Sequence, residues 1–169
     1  MCINIIRAKM GNLGQLVPLF NAYRIFYKQE PDLAKAETFL KERLEKQDSA
    51  IFMALDDQKP VGFTQLYPTF SSVGMKKFYI LNDLYVDPQA RKKGVATKLM
   101  NIAEEYAHHM GSDKIALKTG ADNKAAQALY QELSYEQDVT FLHFGKEASR
   151  EASDELAGVL LDVEAQDFV

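Results

Sequence analysis

The sequence predicts a single α/β domain built on a mixed sheet, and three observations lead to this prediction. The chain has 169 residues, a length that suits one compact domain. Hydrophobic residues make up 47% of it and charged residues 26%, which is enough apolar surface to offset the entropy lost when the chain is ordered. Segments with strand periodicity and segments with helix periodicity follow one another along the chain. That order is typical of helices packed on a sheet.

The first half of the chain supplies a strand, two helices and three strands. CINIIRA predicts the opening strand, and residues 12–28 carry apolar side chains at helical spacing. Pro31 ends that helix, and Asp32 begins the second one. AIFMALDD and PVGFTQLYP flank a short polar turn, as in a hairpin. Residues 77–87 carry apolar side chains at both odd and even positions, which predicts a strand that is buried on both faces.

The second half continues with a helix, a strand, a helix and a strand. Residues 95–110 are amphipathic, and DKIALKTG predicts a strand. The next helix carries Leu129 on its apolar stripe, and Asp122 or Asn123 caps it. VTFLHFG alternates between apolar and polar residues and predicts the final strand.

The chain is expected to comprise a domain over 1–145 and an acidic, helical C-terminal extension over 146–169. The extension has an apolar stripe, Leu156–Val163, at helical spacing. This stripe would pack on the same subunit or on a second copy. A frayed acidic tail is the alternative.

Composition argues against several classes of protein. The net charge is −4, and no broad basic face suits nucleic acid. Cys2 is the single cysteine, so the chain has no internal disulfide and a reducing compartment is favoured. No apolar run approaches the ~20 residues that span a bilayer, and the start lacks the order of a signal peptide. The expected location is cytoplasmic, without membrane or nucleic-acid partners. The three histidines lack metal-like spacing, so no metal is expected.

The segment after residues 77–87 is the most informative for chemistry. The strand ends at an Asp-Pro pair, a basic loop (QARKK) follows, and Gly94 opens a helix. Unpaired N–H groups at a helix N-terminus, together with the helix dipole, bind anions such as phosphate. Gly94 lets the backbone approach a ligand closely. With the positive charge of the basic loop, these features make a cofactor that contains a pyrophosphate the simplest ligand, although the P-loop and dinucleotide patterns do not match.

Arg91, Gly94 and Ala96 form the order Arg-x-x-Gly-x-Ala. This order resembles the acetyl-coenzyme A loop of the GNAT superfamily of N-acetyltransferases, Gln/Arg-x-x-Gly-x-Gly/Ala. DNKAAQALY, residues 122–130, is similar to the family's Asn-x-x-Ala-x-x-Leu-Tyr segment, and LNDLYV, residues 81–86, is similar to the strand before the loop. The resemblance implies a GNAT-type, mostly antiparallel central sheet of about 6–7 strands flanked by about four helices.

Members of the family are often dimers, so the resemblance implies a homodimer, in which the stripe Leu156–Val163 could lie between the subunits. The resemblance also implies a role for each matching residue, with acetyl-CoA as the cofactor. Leu84, Tyr85 and Val86 would pair with the pantetheine arm through their backbones. Asn123 would contact the cofactor where the sheet splays, and Tyr130 would lie beside the thioester sulfur. The pyrophosphate would be held by main-chain amides of Arg91, Lys92, Lys93, Gly94, Val95, Ala96 and Thr97.

Acyl transfer to an amine requires an oxyanion donor, a group to assist the leaving thiolate and an acceptor for the amine's proton. The N–H of Leu84 or Val86 could face the oxyanion, and Tyr130 can donate a proton or a hydrogen bond to the thiolate. In several relatives a Glu occupies the position of Asn82, and an amide cannot act as a base. Asp83 is therefore the first choice for the base, Glu30 the second, and a water relay the third. Tyr27, Glu30 and Asp83 are also the residues expected to contact the acceptor.

The predicted activity is N-acetyl transfer from acetyl-CoA to a primary amine, by direct attack in a ternary complex. The strand LNDLYVDP is similar to that of diamine and polyamine acetyltransferases of the superfamily, so a small, polyamine-like acceptor is expected. A protein lysine or N-terminal amine is the alternative acceptor. Asn82 in place of a carboxylate keeps a second class open, a non-catalytic CoA-binding module.

Overall fold

The computed structural model describes residues 2–147. The chain divides after Tyr135 into two units, and Glu136–Val169 forms the second. The first unit contains five strands: β1 (Ile3–Arg7), β2 (Ala50–Asp56), β3 (Lys59–Ser71), β4 (Lys76–Val86) and β5 (Ile115–Leu117). It also contains four α-helices: α1 (Leu13–Phe26), α2 (Leu33–Lys46), α3 (Val95–His109) and α4 (Lys124–Glu132). None of the helices described within 2–147 is both long enough and apolar enough to cross a bilayer.

The five strands form one sheet in the order β1-β2-β3-β4-β5. The first three pairings are antiparallel, and β5 lies parallel to β4. The connection from β4 to β5 runs through α3, because a parallel partner requires a crossover. The predicted α/β class and the mixed, mostly antiparallel sheet are confirmed.

Each face of the sheet buries its own apolar cluster. On one face, α1 and α2 pack through side chains such as Leu16 and Leu40, both fully buried, against Phe63 of β3. On the other face, α3 packs through Leu99 and its neighbours. Leu129 of α4 and Leu133, just after that helix, are half-buried against that second cluster. The sheet is therefore the central layer between two helical layers.

Side-chain caps begin two of the helices. Asp32 accepts a hydrogen bond from the Lys35 N–H at the start of α2, and Asn123 accepts one from Ala126 at the start of α4. These bonds satisfy N–H groups that a helix cannot pair internally. Of the two caps considered for α4, Asn123 is the one used.

An extra residue in β4 changes which face its side chains cover. Gln65 pairs with Asp83 and Leu66 pairs with Leu81, so Asn82 is left over as a β-bulge. Leu81 belongs to the α3 cluster, whereas Tyr85 belongs to the α1–α2 cluster. In an unbroken strand these two odd-numbered residues would share a face.

Three sequence predictions need correction. The described chain has five strands, fewer than the 6–7 expected. Residues 139–145 form no strand, and Phe141 and Phe144 are largely exposed, because an alternating pattern makes a strand only when a partner strand completes its hydrogen bonds. The first helix ends at Phe26, before residue 28, since Lys28 takes a left-handed φ of 61°. The helix expected over 146–169 falls almost wholly outside the described residues.

Candidate functional site

One edge of β4 is left without a strand partner where β5 diverges from it. β5 pairs with Tyr79–Leu81 and no further, so among the described strands only β3 borders Asn82–Val86. The Asp87 N–H bonds to the Val61 carbonyl on the β3 side. Because successive residues direct their N–H and C=O groups to opposite edges, those of Leu84 and Val86 face the open edge. The sequence predicts that the N–H of Leu84 or Val86 faces the oxyanion, and both N–H groups lie at this open edge.

The loop after β4 leads into the N-terminus of α3 with its amides exposed to a ligand. Gly94 is the N-cap, with a φ of 75° that favours glycine. The Lys98 N–H bonds to the Gly94 carbonyl as the first helical hydrogen bond. The amides of Val95, Ala96 and Thr97 precede it and have no helical acceptor. Lys92 also adopts a left-handed φ, 58°, and Lys92, Lys93 and Gly94 are exposed. Such a run of N–H groups at the positive end of a helix suits a diphosphate.

The Arg91 side chain ties this loop to the end of β4. Its Nε donates to the Val86 carbonyl at 2.9 Å. Its guanidinium carbon lies 5.7 Å from the centre of the Phe26 ring and 5.9 Å from that of Tyr85, within the range of cation–π contacts. The Val86 carbonyl is therefore already occupied, which leaves the N–H of that residue and both groups of Leu84 for a ligand at the open edge.

A cleft of ≈ 600 Å³ lies between the end of α1 and the start of α4. Tyr27, 44% exposed, is one of its walls, and Asn123 is another. The cap bond uses the Oδ1 of Asn123, so its amide N–H groups remain to donate to a ligand. The full lining is Phe26, Tyr27, Lys28, Gly120, Asp122, Asn123, Lys124 and Ala125.

Tyr130 is a half-buried phenol on α4 that has Tyr27 as a neighbour. Burial raises the pKa of Tyr130 to about 12, and the Tyr27 phenol adds to the increase. The hydroxyl is therefore protonated at neutral pH and can donate a hydrogen bond. Its ring centre lies 6.0 Å from that of Tyr135, whose own hydroxyl donates to Glu104 at 2.9 Å.

Asp83 is a buried carboxylate, 3% exposed, held by donors on two strands. Gln65 Nε2 donates to its Oδ2 at 2.6 Å, and Asn82 Nδ2 donates to its Oδ1 at 3.1 Å. The Ser49 hydroxyl donates to Gln65 Oε1 at 2.9 Å, which fixes the amide so that its NH₂ group faces Asp83. Burial raises the pKa of the Asp83 carboxyl above its usual value, although the hydrogen bonds oppose that increase.

Tyr23 lies beside Asp83 and was not identified from the sequence as a site residue. Its hydroxyl donates to the Asn82 carbonyl at 3.4 Å and lies near enough to the Asp83 carboxylate for each group to influence the pKa of the other. Burial, followed by the Asp83 charge, raises the pKa of Tyr23 above its usual range. A signal was available in the spacing, because Tyr23 and Tyr27 are one helical turn apart on the same face, and their ring centres lie 5.1 Å apart.

The remaining predicted site residues, Asn82 and Glu30, are exposed on the surface. Asn82 is exposed at the bulge, and its side-chain amide donates to Asp83, the carboxylate that the sequence predicts as the base. Glu30 is exposed between α1 and α2, where its main-chain carbonyl accepts from Arg24. Within residues 2–147, no cluster of His, Cys, Asp and Glu is arranged to hold a metal ion.

Comparison with known proteins gives a consistent result. The sequence pattern of the Acetyltransferase (GNAT) family matches residues 16–135. The chain is 48% identical over 142 residues to YhfO, an uncharacterized N-acetyltransferase of Bacillus subtilis (strain 168), with 84% of this chain and 95% of YhfO aligned. A crystal structure of a probable acetyltransferase superposes with a TM-score of 0.81 at 35% identity, covering 88% of this chain and 99% of that one. AAC(6′)-Iy, solved with the bisubstrate analogue CoA-S-monomethyl-acetylneamine, has the same fold, with a TM-score of 0.74 at 21% identity over 88% of this chain and all of its own.

Proposed function

The chain belongs to the acetyltransferase (GNAT) family and is an N-acetyltransferase, and from that premise we propose that it transfers an acetyl group from acetyl-CoA to the primary amine of a small molecule. The observation that carries the proposal is the junction of the open β4 edge with the N-terminus of α3. A diphosphate at the helix and an extended pantetheine arm along the edge would occupy adjoining sites.

The residues at this junction fit acetyl-CoA. The amides of 92–97 would hold the diphosphate, and the ammonium groups of Lys92 and Lys93 would add positive charge. Leu84 offers an N–H and a C=O to the amide groups of the pantetheine arm. When bound, acetyl-CoA supplies the acetyl group as a thioester that an amine can attack. The N–H of Leu84 or Val86 would stabilise negative charge on the carbonyl oxygen.

We propose that Tyr130 acts as a hydrogen-bond donor to the departing sulfur. Its pKa of about 12 lies well above the ~8.5 of an ordinary thiol. Complete proton transfer from the phenol to a thiolate is therefore uphill, whereas a hydrogen bond to the thiolate is favourable. A charge-assisted bond of this kind contributes ~1.5–3 kcal/mol, enough to speed departure of the sulfur by about 10- to 100-fold.

Asp83 is proposed as the final acceptor of the amine's proton. Its raised pKa makes it a stronger base than an exposed carboxylate. Glu30, the second candidate, is exposed to solvent between α1 and α2. A cationic acceptor would also be attracted by the Asp83 charge, which favours a diamine or polyamine over a neutral molecule.

The test is to mix the purified protein with acetyl-CoA and a panel of amines and to follow the release of free thiol. The panel contains 1,4-diaminobutane, spermidine, lysine, a lysine-containing peptide and a peptide with a free N-terminus. We expect the small amines to react and the peptides to react more slowly. Preferred reaction with the peptides would replace the small-molecule assignment. Tight CoA binding without any amine-dependent release would favour the non-catalytic module.

Tyr130→Phe tests the leaving-group role, with Tyr135→Phe as its matched control. Both changes remove one phenol oxygen, and the two rings are neighbours. We expect Tyr130→Phe to lower kcat by about 10- to 100-fold with little change in CoA affinity. Tyr135→Phe loses only its bond to Glu104 and should leave kcat near the wild-type value. Equal kcat values for the two variants would remove Tyr130 from the mechanism.

A further inference from the structure

The proposed base is separated from solvent by another side chain. Asp83 is 3% exposed, Gln65 and Asn82 donate to its carboxylate, and the Tyr23 hydroxyl lies beside it on the carbonyl of the preceding residue. The first two donors are amides, which cannot pass on a proton at neutral pH. A phenol can, because its oxygen both donates and accepts. Tyr23 is therefore the neighbour through which a proton could reach Asp83.

Tyr23 also extends from the buried carboxylate towards the cleft. Its hydroxyl lies 3.4 Å from the carbonyl of Asn82, the bulge residue at which the open edge of β4 begins. Its ring is half-buried and packs edge-on against Tyr27, an exposed wall of the cleft. The same phenol is thus close to the buried carboxylate and to the two features that border the proposed reaction site.

We propose that Tyr23 relays a proton from the acceptor amine to Asp83. The inference rests on the proposed acetyl transfer. The N–H bond of the amine breaks as an O–H bond forms at Tyr23 Oη, and the original Tyr23 O–H bond breaks as an O–H bond forms on the Asp83 carboxylate. The phenol is neutral before and after, and Asp83 ends as a carboxylic acid. The reverse movement through Tyr23 returns the proton to water after the product leaves, so no oxidant or reductant is required.

Gln65 acts as the positioning residue for this relay. Its amide orientation is fixed by Ser49, and its Nε2 holds Asp83 Oδ2 at 2.6 Å. The carboxylate is therefore kept within reach of Tyr23 in one orientation. This arrangement agrees with the complete burial of Gln65, a polar side chain that would be costly to bury without partners.

Several titratable or charged groups face Asp83 and Tyr23 from the surrounding elements. Tyr27 comes from α1 and acts on Tyr23. Tyr67 comes from β3 and interacts with both Asp83 and Tyr23. Arg43 of α2 and Asp48 of the following connection act on Tyr67. At neutral pH the phenols are uncharged, and Arg43 and Asp48 form an ion pair with a 3.0 Å contact, so Asp83 is the group near Tyr23 whose charge changes during turnover.

The experiment compares Tyr23→Phe with Tyr67→Phe. Tyr67 is a matched control, because it is also a half-buried phenol near Asp83, with a pKa raised to about 12, but it is not among the donors to the Asp83 carboxylate. Steady-state rates are measured with acetyl-CoA and spermidine, or with whichever panel amine reacts faster, across the pH range and in mixtures of H₂O and D₂O. CoA affinity is measured for each variant as a check on folding.

We expect Tyr23→Phe to lower kcat by about 100-fold, in the range of a lost acid–base group, with CoA affinity unchanged. The dependence of kcat on the D₂O fraction should be curved in the wild-type protein, because two protons move together, and linear in Tyr23→Phe. Tyr67→Phe should keep both the rate and the curvature.

Three outcomes would overturn the relay. Unimpaired turnover by Tyr23→Phe overturns it and leaves the proposed acetyl transfer intact. Equal losses in Tyr23→Phe and Tyr67→Phe, with linear D₂O dependence throughout, identify a general packing effect instead. A wild-type protein that binds CoA but acetylates no amine overturns the proposed function, and the relay with it.

Discussion

Replacing Gly94 with alanine tests whether the N-terminus of α3 contacts the cofactor. Gly94 has a φ of 75°, and a methyl group placed on it meets no atom of the described chain within 4 Å. Gly111, just beyond the other end of the same helix, has a φ of 78° and equally open surroundings. Gly111→Ala is therefore a control with the same backbone strain at the opposite end of α3.

The two substitutions should cost the same stability but differ in ligand binding. A left-handed conformation costs a residue with a side chain ~1–2 kcal/mol, so each variant should melt about 2–4 °C lower per kcal/mol lost. If the diphosphate lies against the Gly94 amide, the added methyl displaces it and at least one charge-assisted hydrogen bond is lost. That loss is ~1.5–3 kcal/mol, which corresponds to about 10- to 100-fold weaker binding.

Calorimetric titration with CoA, together with thermal melting of the unliganded proteins, measures both quantities. The expected result is a similar drop in Tm for Gly94→Ala and Gly111→Ala, with the Kd for CoA raised in Gly94→Ala alone. If both variants bind CoA like the wild-type protein, or if both bind it equally weakly, the phosphate site assigned to this helix is wrong.

Three further predictions concern stability and can be checked by urea unfolding. Gly62→Ala should destabilise the fold by ~1–3 kcal/mol, because its methyl would lie 2.7 Å from the Tyr85 carbonyl oxygen. Gly14→Ala is the control: it lies within α1 without close contacts and should stabilise the fold by ~0.5–1 kcal/mol. If Gly62→Ala left the stability unchanged, that result would contradict the close approach of β3 and β4. Asn123→Ala should cost ~1 kcal/mol through loss of the α4 cap, and an unchanged unfolding midpoint would show that the cap adds nothing. Burial raises the pKa of Asp83 in the folded state, so the wild-type protein should lose stability relative to Asp83→Asn as the pH rises from the unfolded pKa of this carboxyl through its folded pKa. The difference in the free energy of unfolding should change by at most ~1.4 kcal/mol per pH unit. A difference that is constant from about pH 4 to about pH 8 would refute the raised pKa.

The parts of the site that can be predicted from the sequence are those that depend on residues close to one another in the chain. The turn from β4 into α3 follows from Pro88, Gly94 and the amphipathic helix behind them. The caps at Asp32 and Asn123 depend on side chains that bond within three residues of themselves. Local hydrogen-bond chemistry is encoded in the residue types themselves.

The parts that the sequence does not predict depend on contacts between distant segments. Tyr23 and Asp83 are 60 positions apart, and α1 must pack on the sheet before they meet. The extra residue at Asn82 is visible only when β3 is aligned beside β4, since any residue type can occupy a bulge. The strand expected over 139–145 failed for the same reason, because a strand is a property of a pair.

The bulge at Asn82 shifts the residue numbering of β4 by one, but the side chains before and after it still alternate between the two faces. Replacing Asn82 by another side chain leaves the alternation of β4 as it is. Removing it would also leave the faces unchanged, because Leu81 would be followed directly by Asp83, which already lies on the opposite face, the face of Tyr85. An alignment with a strand that lacks the bulge therefore needs a one-residue gap at Asn82, because closing that gap shifts one side by one place and assigns the carboxylate to the wrong layer of the protein.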